Sequence, residues 1–413
     1  MNLKYKDFKY LEKLIDNFSN NKNNKLSYPL LDDAFSNEDI ISGIKVLLSK
    51  QLTMSEITYK FEKSFANYIG AKHALMVNSG SSANLLAAFA SINPLKKNRA
   101  KRDSFFIIPS LCWSTSLWPF VQAGLKPIFL DVNINNFCLD ETKISKSLLK
   151  KVKIILTIHI LGNSNRIDYL KKISKQNNII LIEDTCEALG SKYKSKYLGT
   201  FGDFGTYSFY YSHQITSGEG GMIVCNNSDD YKILRTLRAH GWDRGQKKNY
   251  KNENSFNFIN SGFNLRPTDI NAAIGFSQFK RLNLMKKNRL INRNLIIKKM
   301  KKSPKWDDQY IFFKAAENLE PSYFGFPLIL NKSYLNLKNK IIKDLNINGI
   351  ETRPILSGNF LNQPSAKLYK FRFKKNDFLN SQYIEDNGFF IGLPIKILSE
   401  DKLNHLVSNL LKY

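Results

Sequence analysis

The chain has 413 residues, enough for one large and one smaller domain, and its 43% hydrophobic and 23% charged content is ordinary for a soluble globular protein. No apolar run approaches the ~18 residues of a membrane span, and the charged N-terminus lacks a signal-peptide core, so a cytoplasmic protein with no membrane partner is expected. The net charge of +27, from 62 Lys and Arg against 35 Asp and Glu, admits nucleic acid or an anionic substrate, but the lysines are dispersed without a recognition helix, so no nucleic-acid partner is expected.

Residues 1–25 are polar, with Asn and Lys gathered at 20–25, and read as an N-terminal arm. From residue 38, Ile40, Ile41, Ile44, Leu47 and Leu48 recur at helical spacing and predict one apolar face. Short apolar runs then alternate with helical stretches, at 74–77, 105–108, 128–132, 154–158, 179–182, 206–210 and 222–225. Continuous apolar runs bounded by Gly, Pro, Asn or Asp mark strands of a mostly parallel sheet buried on both faces. With helices between them they predict a doubly wound α/β domain. After residue 285 the texture changes to a basic helical stretch at 286–302, a strand at 324–329, a helix at 334–348 and a strand at 389–392. The predicted organisation is an arm over 1–25, a large α/β domain over 26–285 and a small α+β domain over 286–413.

Four segments carry chemistry. Asn78-Ser79-Gly80-Ser81-Ser82-Ala83-Asn84 joins an apolar run to a helix at 85–90. Its small residues let backbone N–H groups approach an anion at a helix N-terminus; a plain cap by Ser81 or Ser82 is the alternative. Glu183-Asp184-Thr185-Cys186-Glu187 closes a strand, where α/β sheets place ligands. Asp184 there can pair with a protonated ring nitrogen or cap a helix. Ser208-Phe209-Tyr210-Tyr211-Ser212-His213 runs into Gly218-Glu219-Gly220-Gly221, and no Lys or Arg falls between Tyr197 and Tyr231, which marks a buried segment. Taken alone, its single histidine reads more simply as structural than as catalytic. Gly262-Phe263-Asn264-Leu265-Arg266-Pro267-Thr268-Asp269 opens an Ala-rich helix that Thr268 or Asp269 can cap. Cys112, Cys138, Cys186 and Cys225 stand singly, a spacing that argues against zinc, an iron–sulfur cluster and a disulfide framework.

In this order, and together with Pro109-Ser110-Leu111-Cys112-Trp113-Ser114-Thr115, the segments resemble the DegT/DnrJ/EryC1/StrS family of nucleotide-sugar aminotransferases over nearly the whole chain after residue 28. The family's serine–aromatic strand delivers a lysine where this chain has His213, and a histidine there resembles the family's dehydratase branch. Arg238-Ala239-His240-Gly241-Trp242 and Arg353-Pro354-Ile355-Leu356-Ser357-Gly358-Asn359-Phe360-Leu361 extend the likeness. The resemblance implies the type I aspartate-aminotransferase fold, pyridoxal 5'-phosphate or pyridoxamine 5'-phosphate as cofactor, a homodimer, a nucleotide-sugar substrate and L-glutamate as amino donor. It implies that Gly80, Ser81 and Ser208 hold the cofactor phosphate and that Asn264 reaches the phosphate in the neighbouring subunit. By the same resemblance Trp113 stacks on the pyridine ring, Asp184 binds the ring nitrogen and Glu187 sits near the ring hydroxyl. His240 and Arg353 are implied candidates for the sugar nucleotide. Members of the branch often carry two consecutive histidines, whereas Gln214 takes the second position here.

Histidine cannot make the covalent cofactor link that lysine makes, so the cofactor is expected to be held non-covalently. The implied reaction is loss of the 3-hydroxyl from a nucleotide-linked 4-keto-6-deoxy sugar, with His213 as the base, in deoxysugar synthesis for a surface polysaccharide. The single cysteines favour a route without an iron–sulfur cluster. Two other readings stand beside it: a nucleotide-sugar aminotransferase, and a catalytically silent ligand-binding protein of the same fold. The nucleotide, GDP or CDP, is left open.

Overall fold

The computed structural model describes residues 5–20, 26–32, 35–243 and 256–413. The apolar runs become the strands of a seven-stranded sheet: β1 (His73–Val77), β2 (Phe105–Pro109), β3 (Lys126–Leu130), β4 (Val152–Ile158), β5 (Ile180–Asp184), β6 (Phe204–Ser208) and β7 (Gly221–Cys225). Their spatial order is β1-β7-β6-β5-β4-β2-β3. The stretch from β3 to β6 is parallel, and β7 runs antiparallel to both of its neighbours. β5, β6 and β7 are buried along their whole length, as continuous apolar runs require when helices cover both faces. The fold is therefore α/β, with a mostly parallel central sheet.

The run at 206–210 does not stay in the sheet. β6 stops at Ser208; one further pair, the Phe209 amide on the Gly220 carbonyl at 2.8 Å, closes the neck of a loop over residues 210–219. The C-terminal part builds a second, antiparallel sheet from β8 (Tyr310–Phe312), β9 (Gly325–Leu330), β10 (Thr352–Arg353) and β11 (Gly388–Gly392), in the order β8-β9-β11-β10.

The helices that bear on the site are α1 (Tyr5–Asn20), α2 (Asn37–Ser49), α3 (Gly80–Ser91), α4 (Ser114–Gln122), α5 (Ser228–Arg238), α6 (Asp269–Phe279) and α7 (Leu282–Lys302). The expected arm thus contains a helix, α1, and its remaining residues 1–4 and 21–25 lie outside the described residues. α2 starts at a capping box between Ser36 and Asp39. Its buried face differs from the expected one: Ile41 and Val46 are buried, whereas Leu47 and Leu48 are 52% and 56% exposed. The inward side carries Gly43 and meets Ile270 and Ile274 of α6, which lie at ordinary contact distance from where a Cβ would stand.

Residues 26–32, expected with the large domain, pack against the C-terminal part instead. The Tyr28 amide donates to Gly349 O, Glu351 N donates to Tyr28 O, and the Tyr28 hydroxyl donates to Gly392 O at 3.1 Å. The expected boundary at 285/286 falls inside α7, which runs unbroken across it. We propose α7 as the element connecting the two domains. No helix among the described residues is long and apolar enough to cross a membrane.

Candidate active site

The C-terminal ends of β1, β5 and β6 and the chain leaving β2 converge on a cavity of about 440 Å³. Open α/β sheets bind ligands at this edge. Gly80, Ser81, Trp113, Asp184, Glu187, Ser208, His213 and Arg353 all line the cavity. Asn264 and His240 do not. Both are exposed on an adjoining surface, where Ala239 and Asn264 form an antiparallel bridge and the His240 amide donates to Phe263 O at 2.7 Å.

The Gly80 end of the cavity is an N-terminal helix cradle. α3 is capped by neither Ser81 nor Ser82 but by Ser79, whose Oγ accepts the Ser82 amide at 3.0 Å. The Ser81 hydroxyl is left to donate to Thr115 Oγ1 at 2.9 Å. A Cβ on residue 80 would stand 2.5 Å from Ser208 Cβ and 3.0 Å from Cys186 Sγ, so only glycine keeps the helix terminus this close to β6. The first amides of α3, with the positive end of its dipole, suit an anion.

Asp184 is 3% exposed and held on three sides. Its Oδ2 accepts Asn84 Nδ2 at 2.8 Å and Ser116 Oγ at 2.7 Å, and its Oδ1 accepts the Cys186 amide at 3.1 Å. Thr206 Oγ1 donates to Asn84 Oδ1 at 2.7 Å and fixes the amide that faces Asp184. Sequence reasoning missed Asn84 and Ser116 as supports. Asn84 stood in a segment it had singled out, and Ser116 lies just past another, but nothing in their identity points to Asp184, which is 100 and 68 positions away.

His213 sits in the loop between β6 and β7. Its ring meets Phe324 edge-on, with centroids 5.0 Å apart, and Tyr210 at 5.9 Å. Nδ1 is enclosed by protein without a hydrogen-bond partner. Burial first, and then the positive Arg289 nearby, push the imidazole down to about 3, so the ring is neutral. Gln214 turns away: its Nε2 donates to Glu187 O at 2.5 Å and Ser322 O at 3.2 Å, anchoring the loop from behind.

Glu187 responds to burial in the opposite sense. Desolvation raises its carboxyl to about 7, with Asp184 adding to the rise, against the Leu161 amide that donates to Oε2 at 2.9 Å. The opposite wall comes from the C-terminal part and the N-terminal segment: Phe324, Arg353, Pro354, Leu356, Phe390 and Leu30. Trp113, at the start of α4, lines the rim and is 53% exposed. Arg353 is the one cation among the described lining residues, and no lysine lines the cavity there.

A model of the DegT/DnrJ/EryC1/StrS aminotransferase family matches residues 35–410. GDP-4-keto-6-deoxy-D-mannose 3-dehydratase of Escherichia coli O55:H7 is 37% identical over 376 residues, covering 89% of this chain and 95% of the relative. A solved mutant of GDP-4-keto-6-deoxymannose-3-dehydratase with bound GDP-perosamine superposes with a TM-score of 0.85 at 35% identity, covering 93% of this chain and 100% of that one. A structure of the same enzyme with a trapped PLP-glutamate geminal diamine gives a TM-score of 0.83 at 35% identity over 93% of this chain and 100% of that one. The chain belongs to the DegT/DnrJ/EryC1/StrS family.

Proposed function

We propose that the protein is a pyridoxal/pyridoxamine phosphate-dependent 3-dehydratase acting on a nucleotide-linked 4-keto-6-deoxy sugar. The observation that carries this reading is His213, neutral and facing a cavity whose described lining contains no lysine. The relatives named as 3-dehydratases, one solved with GDP-perosamine and one with a PLP-glutamate adduct, support the substrate class, the cofactor and glutamate as amino donor.

The residues present fit the cofactor. The cradle at Gly80, too tight for any Cβ, offers backbone amides to a phosphate, with Ser81 and Ser208 beside it. Asp184 presents a buried carboxylate to a ring N–H, and Trp113 offers a flat face for stacking. Glu187, near half-protonated at neutral pH, can share a proton with a ring hydroxyl. When bound, the cofactor supplies the electron sink for breaking bonds next to the attached sugar carbon.

The chain's own groups do the rest. His213 takes up a proton at Nε2, since Nδ1 is enclosed, and returns it to the departing hydroxyl. An anionic group in the cavity favours the protonated imidazole, raising its pKa back toward the ordinary range, and makes it a better base. Phe324, Phe390 and Leu356 keep water from the reacting atoms. Asn264 and His240, turned to the outer surface, serve the neighbouring subunit's site in a homodimer.

The deciding experiment incubates the protein with pyridoxamine phosphate, L-glutamate and a panel of GDP- and CDP-linked 4-keto-6-deoxy sugars, followed by mass spectrometry. Loss of water from the sugar supports the dehydratase. Gain of nitrogen points to an aminotransferase, and an unchanged sugar points to a silent binding protein.

A further inference from the structure

Arg353 and Leu30 face the cavity from chain segments far apart in sequence, and one carboxylate outside the described lining joins them. Glu351 Oε1 pairs with Arg353 Nη2 at 2.6 Å. Glu351 Oε2 accepts the Leu30 amide at 3.0 Å. Two hydrogen bonds to one carboxylate fix its plane, and through that plane the direction of the guanidinium.

The surrounding backbone gives Arg353 little other guidance. β10 is two residues long and pairs only with β11, Arg353 opposite Phe390. The Arg353 side chain is 53% exposed, and its Nη1 has a single further contact, to Thr352 O at 3.1 Å. Leu30 has other supports. Its segment is clamped where the Tyr28 hydroxyl donates to Gly392 O, and where Gly392 leaves no room for a Cβ, which would lie 2.3 Å from Leu30 O. The Glu351–Arg353 pair is too open to add much to stability. Its effect falls on where the cation stands.

We infer that Glu351 is a positioning residue, which aims Arg353 at the anionic diphosphate of the nucleotide sugar and holds Leu30 as the facing apolar wall. The inference rests on the proposed nucleotide-sugar substrate. Without the carboxylate the guanidinium swings freely and the Leu30 amide loses its acceptor, so the ligand must order both when it binds.

The test is calorimetric titration of the pyridoxamine phosphate-loaded protein with GDP-perosamine, for wild type, Glu351→Ala, Glu351→Gln, Arg353→Ala and the double variant Glu351→Ala with Arg353→Ala. Cofactor absorbance should be the same in all five. Glu351→Ala and Arg353→Ala should each weaken binding about tenfold, the effect of one lost hydrogen bond to a charged group. The double variant should be no weaker than Arg353→Ala by more than about twofold, because the first residue acts through the second. Glu351→Gln, whose amide oxygen can still accept from the Arg353 guanidinium, should recover part of the loss. Wild-type affinity in Glu351→Ala, or losses that multiply to about a hundredfold in the double variant, would overturn the role of Glu351 alone. Failure of the wild type to bind GDP-perosamine would overturn the nucleotide-sugar function and, with it, the ligand assigned to Arg353.

Discussion

Arg289 Nη2 donates to the backbone carbonyl of His213 at 3.3 Å while its Nε donates to Leu393 O at 3.2 Å, so one buried guanidinium on α7 ties the histidine loop to the C-terminal part. Its own ionisation is pushed down to about 10 by burial. Its charge also lowers the His213 imidazole. Arg289→Met should therefore raise the His213 pKa. Because the base must be neutral to act, the acidic limb of the kcat profile should move to higher pH. Arg289→Lys, keeping the charge, should leave that limb in place and lower kcat about tenfold through the lost carbonyl contact. Rate measurements from about pH 3 to 9 check both.

Glu187 sets a second, opposite pH dependence. Its carboxyl titrates near 7 in the folded protein, against an ordinary value of 4.5. The folded state thus binds more protons between these values, and stability is lost as pH rises through that window. Glu187→Gln removes the loss. The cofactor-free variant should melt about 1–3 °C above wild type at pH 8, with the gap closing by pH 5. His213 contributes equally to both proteins, so the difference isolates Glu187. Thermal scans at the two pH values suffice.

Asp184 owes its orientation to Asn84 and Ser116. Asn84→Ala and Ser116→Ala should each weaken pyridoxamine phosphate binding by about tenfold, the scale of one hydrogen bond to a charged group. Equilibrium dialysis followed by absorbance of the retained cofactor measures this.

His213→Lys should trap pyridoxal phosphate covalently. The pocket that holds the imidazole neutral also favours an uncharged amine. Borohydride should fix the cofactor to residue 213 in the variant and to no lysine in the wild type, as read by peptide mapping. Dehydration should fall by about a hundredfold or more, since the acid–base group has changed.

In the proposed homodimer, the surface bearing Asn264 and His240 predicts subunit complementation. His213→Asn and Asn264→Ala homodimers should each be poorly active. An equal mixture, unfolded and refolded together, should regain about a quarter of wild-type activity, from the one intact site in each mixed pair. Recovery no greater than the sum of the parents would show that the sites are not shared.

The sheet was legible because its strands are uninterrupted apolar runs between Gly, Pro and Asn, a pattern that needs no knowledge of partners. The helix cradle at Gly80 and Asp184, the last residue of β5, were legible as polar groups at strand ends, whereas Trp113, Glu187, Ser208, His213 and Arg353 gained their roles only through the family resemblance. What stayed hidden has ordinary chemistry and distant partners. Leu30, Phe324 and Phe390 look like any core residue, and Asn84 like any helix residue. Glu351 gains meaning only from Leu30, 321 positions earlier. The exposed Leu47 and Leu48 were misplaced because hydrophobic periodicity marks a stripe without saying which side of it meets α6.

The Tyr28–Leu30 strap also orders events in time. The segment is synthesised well before its anchors: Glu351 follows Leu30 by 321 positions and Gly392 follows Tyr28 by 364. Every nascent chain must therefore carry this segment unanchored until those residues have been made, a long-range closure that folding cannot begin with. A bulky tag fused ahead of Tyr28 would burden this late step more than the finished enzyme, lowering the yield of folded protein while leaving the turnover of the molecules that do fold unchanged.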